Sequence, residues 1–280
     1  MKRTLLQSVA LYLTVLVLII FTLAPLLWLL IMSLCSANDL TTIPLHWLPS
    51  HADWSRYGQL LDFKVNIGHN PFLQALKNSL IAAGGATLLA LAAAIPAAYA
   101  FSRKNAPSAL LFVMLATVMI PPVTYILPLY STLSNMNMLN NPLTLIIIYC
   151  SMLLPFATWL MKSNIDILPV EIEQAATVEG ATTLQTLFAV VLPMAKPAII
   201  ATAMLSFLLA WDEFFYSLIF NSDWRGKTLP VAIADFAAGK VTDYGLIASV
   251  GVLASLPPVL VSLLFQKHLV RGLASGGVKG

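Results

Sequence analysis

Charge is scarce in this chain. Only 10% of its 280 residues are Asp, Glu, Lys or Arg, against roughly 25% in an ordinary soluble domain. At 59% hydrophobic residues, it carries more apolar side chain than a water-soluble fold could cover. The net charge is only +3, and basic residues stand singly or in pairs between apolar runs. No patch or stripe is left to hold a nucleic-acid backbone. Cysteine is nearly absent: Cys35 ends the first apolar run and Cys150 sits inside a later one. That arrangement is neither a metal-ligand spacing nor a disulfide framework, and both are expected to be structural. His46, His51 and His69 share one loop without ligand spacing, so no metal is expected. Neither His-Glu-x-x-His nor Gly-x-Ser-x-Gly occurs, which argues against an intramembrane enzyme and leaves no catalytic residue to name. A Gly-x-x-x-x-Gly-Lys-Ser/Thr phosphate loop is also lacking, so the chain has no ATPase site of its own.

What is present is a succession of apolar runs of about 20 residues, the length a helix needs to cross a ~30 Å hydrocarbon core. Six spans are expected, over residues 9–34, 79–101, 110–130, 143–161, 198–220 and 246–265. The fold class is therefore all-α and polytopic, one transmembrane domain over residues 1–280. Lys2 and Arg3 ahead of the first run suggest a secretory signal, but the run far exceeds the ~7–15 apolar residues of a signal core and is expected to be retained. An even number of crossings puts both termini on one side. Arg103 and Lys104 mark the turn after the second span, whereas residues 131–142 contain no Lys or Arg. The positive-inside rule then makes the termini cytoplasmic.

Two segments between spans are long enough for structure of their own, an outer loop over 36–78 and an inner one over 162–197. Pro44, Trp47, Pro49, Trp54 and Tyr57 in the outer loop suit the membrane interface, where amphipathic rings are favoured. Helix breakers recur inside the spans at Gly84, Gly85, Pro96, Pro121, Pro122, Pro155, Pro257 and Pro258. Such residues bend helices and suit a bundle around a cavity, though static membrane helices carry them too.

The inner loop reads as two short helices. Pro169 suits a first turn, Glu171 and Glu173 lie where the helix dipole favours anions, and Gly180 can end the helix. Thr182 or Thr183 can cap the second, whose Leu184, Leu187, Phe188, Val191 and Leu192 fall on one helical face expected to pack under the bundle. Ala175 and Ala176 on the first helix are small enough for another protein's groove to approach the backbone.

The run Gln174-Ala175-Ala176, then Gly180, Val190 and Leu192-Pro193 resembles the signature of the membrane subunits of binding-protein-dependent ABC importers. That signature is Glu-Ala-Ala, three residues, Gly, nine residues, Ile, one residue, Leu-Pro. Gln174 replaces its Glu and Val190 its Ile, while Glu173 lies one residue early. Asn78-Ser79-Leu80, the run from Tyr99 to Arg103, Trp211-Asp212-Glu213-Phe214 and the tail from Gln266 to Gly280 are similar to the maltose-type carbohydrate branch.

The resemblance implies a permease subunit of an ATP-driven importer, multi-pass in a bacterial inner membrane, passing a sugar or related carbohydrate. It implies four kinds of partner: a second permease subunit, two nucleotide-binding ATPase subunits that carry the ATP and Mg, an external solute-binding protein and the lipid around them. Glu173, Gln174, Ala175, Ala176, Gly180, Leu192 and Pro193 would couple to the ATPase, and the tail over 267–280 would touch it. Trp211, Asp212 and Glu213 are candidates for the substrate path, because ionisable groups inside an apolar run mark function by default and sugar sites pair aromatic faces with carboxylates. Their alternative is a structural contact to the partner permease. A secondary transporter driven by an ion gradient is the competing reading, but no repeat relates the two halves.

Overall fold

The computed structural model describes residues 5–42, 47–63, 69–238 and 243–277, and side chains over 7–267 within these. Pro44, His46, Lys64, Lys240 and residues 278–280 lie outside the described residues. Among the described residues every regular element is helical. In chain order the α-helices are α1 (Leu5–Leu34), α2 (Ala37–Thr41), α3 (Ser55–Leu60), α4 (Pro71–Arg103), α5 (Ser108–Val118), α6 (Ile126–Asn135), α7 (Pro142–Ile165), α8 (Val170–Val178), α9 (Thr183–Thr186), α10 (Leu192–Met194), α11 (Lys196–Trp211), α12 (Phe215–Phe220), α13 (Leu229–Ala237) and α14 (Tyr244–Gly277).

Four of these helices are long and apolar enough to cross a membrane: α1, α4, α7 and α14. A fifth crossing is reached if the pair Thr183–Met194 and Lys196–Trp211, bent by 79°, is one span. Two expected spans are not single helices. The run at 110–130 stops at Val118, passes Pro121 and Pro122 in a short 3₁₀ turn, and resumes as α6. The run at 198–220 breaks after Trp211, and Phe215–Phe220 form a separate helix. At Pro121 and Pro122 two backbone donors are missing and the helical region is disfavoured for the residue before them, and here the helix gives way. By contrast, α1 continues through Pro25, α4 through Pro96, α7 through Pro155 and α14 through Pro257 and Pro258. Proline, single or paired as in α14, therefore does not by itself end these spans. The tail stays helical as far as Gly277, as a direct continuation of the last span.

The described chain forms two compact units. One comprises residues 1–73 and 233–256. Inside it, buried Arg56 donates to the Cys35 carbonyl at 2.7 Å and pairs with Asp243 at 3.2 Å, and the Ser33 hydroxyl meets the Tyr57 hydroxyl at 2.6 Å. The outer loop is thus tied to the ends of α1 and α14. Among the described residues, none of the apolar window of α1 is buried.

The other unit comprises residues 74–232 and 257–280. Here α4 carries a stripe of alanines at every fourth position, Ala82, Ala86, Ala90, Ala94 and Ala98, each fully buried. Small residues let membrane helices approach closely without a gap. At Gly85 an added Cβ would stand 2.5 Å from Ile146 Cδ1 on α7, so this glycine marks a close approach between helices. In turn α7 packs against α11, α5 and α12.

Candidate coupling surface and solute path

The inner loop folds as the two helices expected of it. The first, α8, begins after Pro169 and ends in a Schellman motif: the Gly180 N–H donates to the Thr177 carbonyl and the Ala181 N–H to the Ala176 carbonyl, both at 3.0 Å. Gly180 has φ +91°, a conformation that costs any residue with a Cβ. Of the two candidate caps for the second helix, Thr182 is the one used. Its hydroxyl accepts from the Gln185 N–H at 3.3 Å while the Gln185 side chain accepts from the Thr182 N–H at 2.8 Å, a reciprocal capping box.

The loop is held to the spans by an apolar cluster and an ionic network. Leu187 and Val191 lie in a π-helical turn, Leu187–Val191, and are buried in one cluster with Ala98 and Tyr99 of α4 and Met161 and Ile165 of α7. Leu192 adds to this cluster from its edge. The expected five-residue apolar face is only partly realised, because Leu184 and Phe188 are 65% and 64% exposed. Within the π turn Leu187 and Val191 enter the cluster while Phe188 between them stays outside, so the regular α-helical face is not formed.

Beside this cluster Arg103, at the end of α4, forms an ion pair with Glu173 of α8 at 2.8 Å. Both side chains are about nine-tenths buried, at 11% and 9% exposure. Arg103 also donates to the carbonyls of Ile165 and Leu168 at 2.8 and 2.9 Å and to the Ser102 hydroxyl at 3.0 Å. Ser102 donates to Asp166 at 2.6 Å, and Lys162 binds the other Asp166 oxygen at 2.7 Å. Burial opposes ionisation of Asp166, but hydrogen bonds from Lys162 and Ser102, with the charges of Lys162 and Arg103, outweigh it and hold the carboxyl below the usual carboxylate range. The ends of α4 and α7 and the middle of α8 are therefore joined by charge-assisted hydrogen bonds, which are shorter and stronger than neutral ones.

Among the candidate coupling residues, Glu173 faces the spans and is used up in this pair. Gln174 and Ala175 are exposed, Ala176 is half-buried, and Gly180 is exposed. On the far side of α8, Ile172, Ala175 and Val178 follow at three-residue spacing, with Ile172 46% and Val178 88% exposed. Leu192 is half-buried and Pro193, exposed, sits in the first turn of α10. Arg103, Ser102, Asp166 and Lys162 were not singled out from sequence as site residues. Their only signal is an Arg closing one span and an acidic residue in the loop after another, and many structureless pairings would look the same.

The candidate path residues separate. Trp211 is buried and stacks on Phe207 with ring centroids 5.5 Å apart. Glu213 accepts from the Tyr216 N–H at 2.9 Å and the Ser217 N–H at 3.4 Å, so it satisfies the first amides of α12 in the manner of an N-cap. Asp212 is exposed at the break itself. These roles make Glu213 a structural acceptor first. Glu213→Ala is expected to lower the thermal stability of the solubilised protein, by about 1 kcal/mol for a lost cap, whereas Glu213→Gln, which keeps an acceptor, retains near-normal uptake. Loss of uptake by an assembled, stable Glu213→Gln protein would return this carboxylate to the solute path.

Comparison with known proteins bears on the family and the fold. The chain is 32% identical over 266 residues to the sulfoquinovosyl glycerol transport system permease protein SmoH of Agrobacterium fabrum, with 94% of this chain and 91% of that protein covered. It is 30% identical over 287 residues to the trehalose/maltose transport system permease protein MalG of Thermococcus litoralis, with both chains covered in full. The fold is similar to that of a bacterial ABC transporter involved in the import of the acidic polysaccharide alginate, with a TM-score of 0.76, 20% identity, and 95% of this chain and 99% of that chain covered. Residues 86–275, from within α4 almost to the end of α14, match the family model, and the chain belongs to the family of binding-protein-dependent transport system inner membrane components.

Proposed function

We propose that this chain is a single permease domain of an ATP-driven importer, forming part of the membrane path for a sugar or related carbohydrate. The observation that carries the reading is the construction of α8: an exposed apolar edge on one side, and on the other a buried ion pair that ties it to the ends of two spans. The apolar edge at Ile172, Ala175 and Val178 is left exposed by the described residues, which fits a groove on a separate ATPase subunit. ATP and Mg belong to that subunit, and no cofactor is assigned to this chain. A push on α8 reaches α4 and α7 through Arg103 and through the cluster around Val191. From α7 it passes to α5, α11 and α12, which pack against that helix.

The assembly that fits is this chain with a second permease subunit, two nucleotide-binding subunits and an external solute-binding protein. The carbohydrate class rests on the relatives, two of which are named for glycoside or disaccharide transport. Counting α5 with α6 and α11 with α12 as broken crossings makes six spans. Both termini then lie in the cytoplasm, on the side of Arg103 and Lys104.

The test is gentle solubilisation from the native membrane through a tag on this chain, followed by identification of what co-purifies. An ATPase with a phosphate loop and a second permease are expected. Recovery of the chain alone, together with uptake that survives ATP depletion but collapses with an ionophore, would replace this reading with a gradient-driven carrier.

A further inference from the structure

The break between α5 and α6 borders a cavity that the coupling machinery does not use. With 11 residues, α5 rises about 16 Å, roughly half of a ~30 Å hydrocarbon core. If α5 starts at the cytoplasmic face, Pro121 and Pro122 fall near the middle of the bilayer. Irregular backbone at that depth persists only where protein buries it or where it lines a water-filled space. This chain does not bury it: Met119 is 83% and Val123 67% exposed.

Next to the break lies a cavity of about 470 Å³, lined in part by Thr117, Pro122, Tyr125, Ser151, Met152 and Tyr216. That volume lies in the ~300–1,000 Å³ range of small-molecule sites. No lining residue carries a charge, so neither an ion nor a charged solute is matched here.

The polar groups are arranged with unused capacity. Tyr125 and Tyr216 share one hydrogen bond between their hydroxyls, which consumes one of two O–H protons and leaves the other for a third oxygen. Tyr216 is 5% exposed and held in a stack, 6.2 Å from Phe220, which lies 6.3 Å from Tyr130. Tyr125 is 36% exposed and meets the cavity. The hydroxyls of Ser151 and Thr117 donate to the Ile148 and Met114 carbonyls of their own helices at 2.7 and 2.6 Å. Their protons are occupied while their lone pairs remain open as acceptors. A free phenol donor, two hydroxyl acceptors, an aromatic ring and apolar walls from Pro122 and Met152 suit a solute whose hydroxyls both donate and accept around an apolar ring.

We propose that this cavity is a subsite for one ring of a neutral carbohydrate, with Tyr125 as the contacting residue and Tyr216 as the residue that positions it. The assignment rests on the importer reading above, and the test separates the two. The co-purified complex is reconstituted into proteoliposomes with ATP inside and its binding protein outside, and uptake of radiolabelled maltose and trehalose is followed for the wild type, Tyr125→Phe and Ser151→Ala. Tyr125→Phe keeps the ring and removes the hydroxyl that meets the cavity. It is expected to raise KM for the imported sugar roughly fivefold, the worth of one net hydrogen bond, with a smaller change in kcat and with full assembly of the complex. An unchanged KM in both variants overturns the subsite and leaves the importer standing, and so does a fall in assembly that accounts for the whole loss. A wild-type complex that imports neither of these sugars, nor any other neutral sugar offered with the binding protein, overturns the carbohydrate reading and the subsite with it.

Discussion

Gly180→Arg abolishes solute uptake while the chain still inserts into the membrane. The glycine sits at φ +91°, where a side chain costs about 1–2 kcal/mol, and its N–H closes the end of α8 on the Thr177 carbonyl. A Cβ there would meet nothing within 4 Å, so the backbone, not crowding, sets the first part of the loss. Gly180→Ala isolates that part and should leave intermediate uptake. The arginine adds a long cation to an exposed tip that is proposed to enter another protein's groove. Ala175→Arg tests the same surface without backbone strain, since Ala175 is exposed on the outer side of α8. Both arginine variants should co-purify with less ATPase subunit and lose uptake by roughly tenfold or more, the effect of about 1.4 kcal/mol at a binding step. Normal uptake by either protein would sink the assignment of α8 as the coupling element.

Arg103→Ala separates the ATPase stroke from the spans and destabilises the protein. Glu173 would be left 9% exposed and without its cation, and removing one partner of a buried pair costs about 3–5 kcal/mol. The carbonyls of Ile165 and Leu168 lose the Arg103 guanidinium at the same time, and the Ile165 carbonyl keeps the Leu168 N–H. The expected result is a lower melting temperature in detergent and low uptake. Replacing both partners with apolar residues, Arg103→Met with Glu173→Leu, removes the stranded charge and should recover most of the thermal stability. Uptake should stay low, because the two carbonyls at the end of α7 still lack the guanidinium that joins them to α4. Wild-type coupling of ATP hydrolysis to solute in the Arg103→Ala protein would show that the ion pair is not part of the transmission.

The elements most legible in the sequence were those set by local rules. The apolar runs that became α1, α4, α7 and α14 follow from the bilayer's thickness, and the ends of α8 follow from Pro169 and Gly180. Thr182 against Thr183 could not be decided from propensity, because each can cap. It was settled by the reach of Gln185 back to the Thr182 N–H. The breaks inside the third and fifth runs were masked by hydropathy, which sums side chains and says little about whether the backbone between them stays helical. Glu213 carries a related ambiguity. An acidic residue in an apolar run marks either a path or a helix terminus, and only the geometry of α12 shows that it satisfies two amides.

Membrane residence, helical class and the two-helix inner loop with its docking-sized alanines came from the sequence alone, because hydrophobic length, helix capping and spacing act over a few neighbouring residues. The tertiary structure decided that Glu173 turns inward to Arg103, 70 positions earlier in the chain, that Leu184 and Phe188 stay outside the cluster, and that Tyr125 and Tyr216, 91 positions apart, meet at one cavity. Those choices depend on which distant backbones are brought together and on what each burial would cost unpaired. No local pattern encodes that cost.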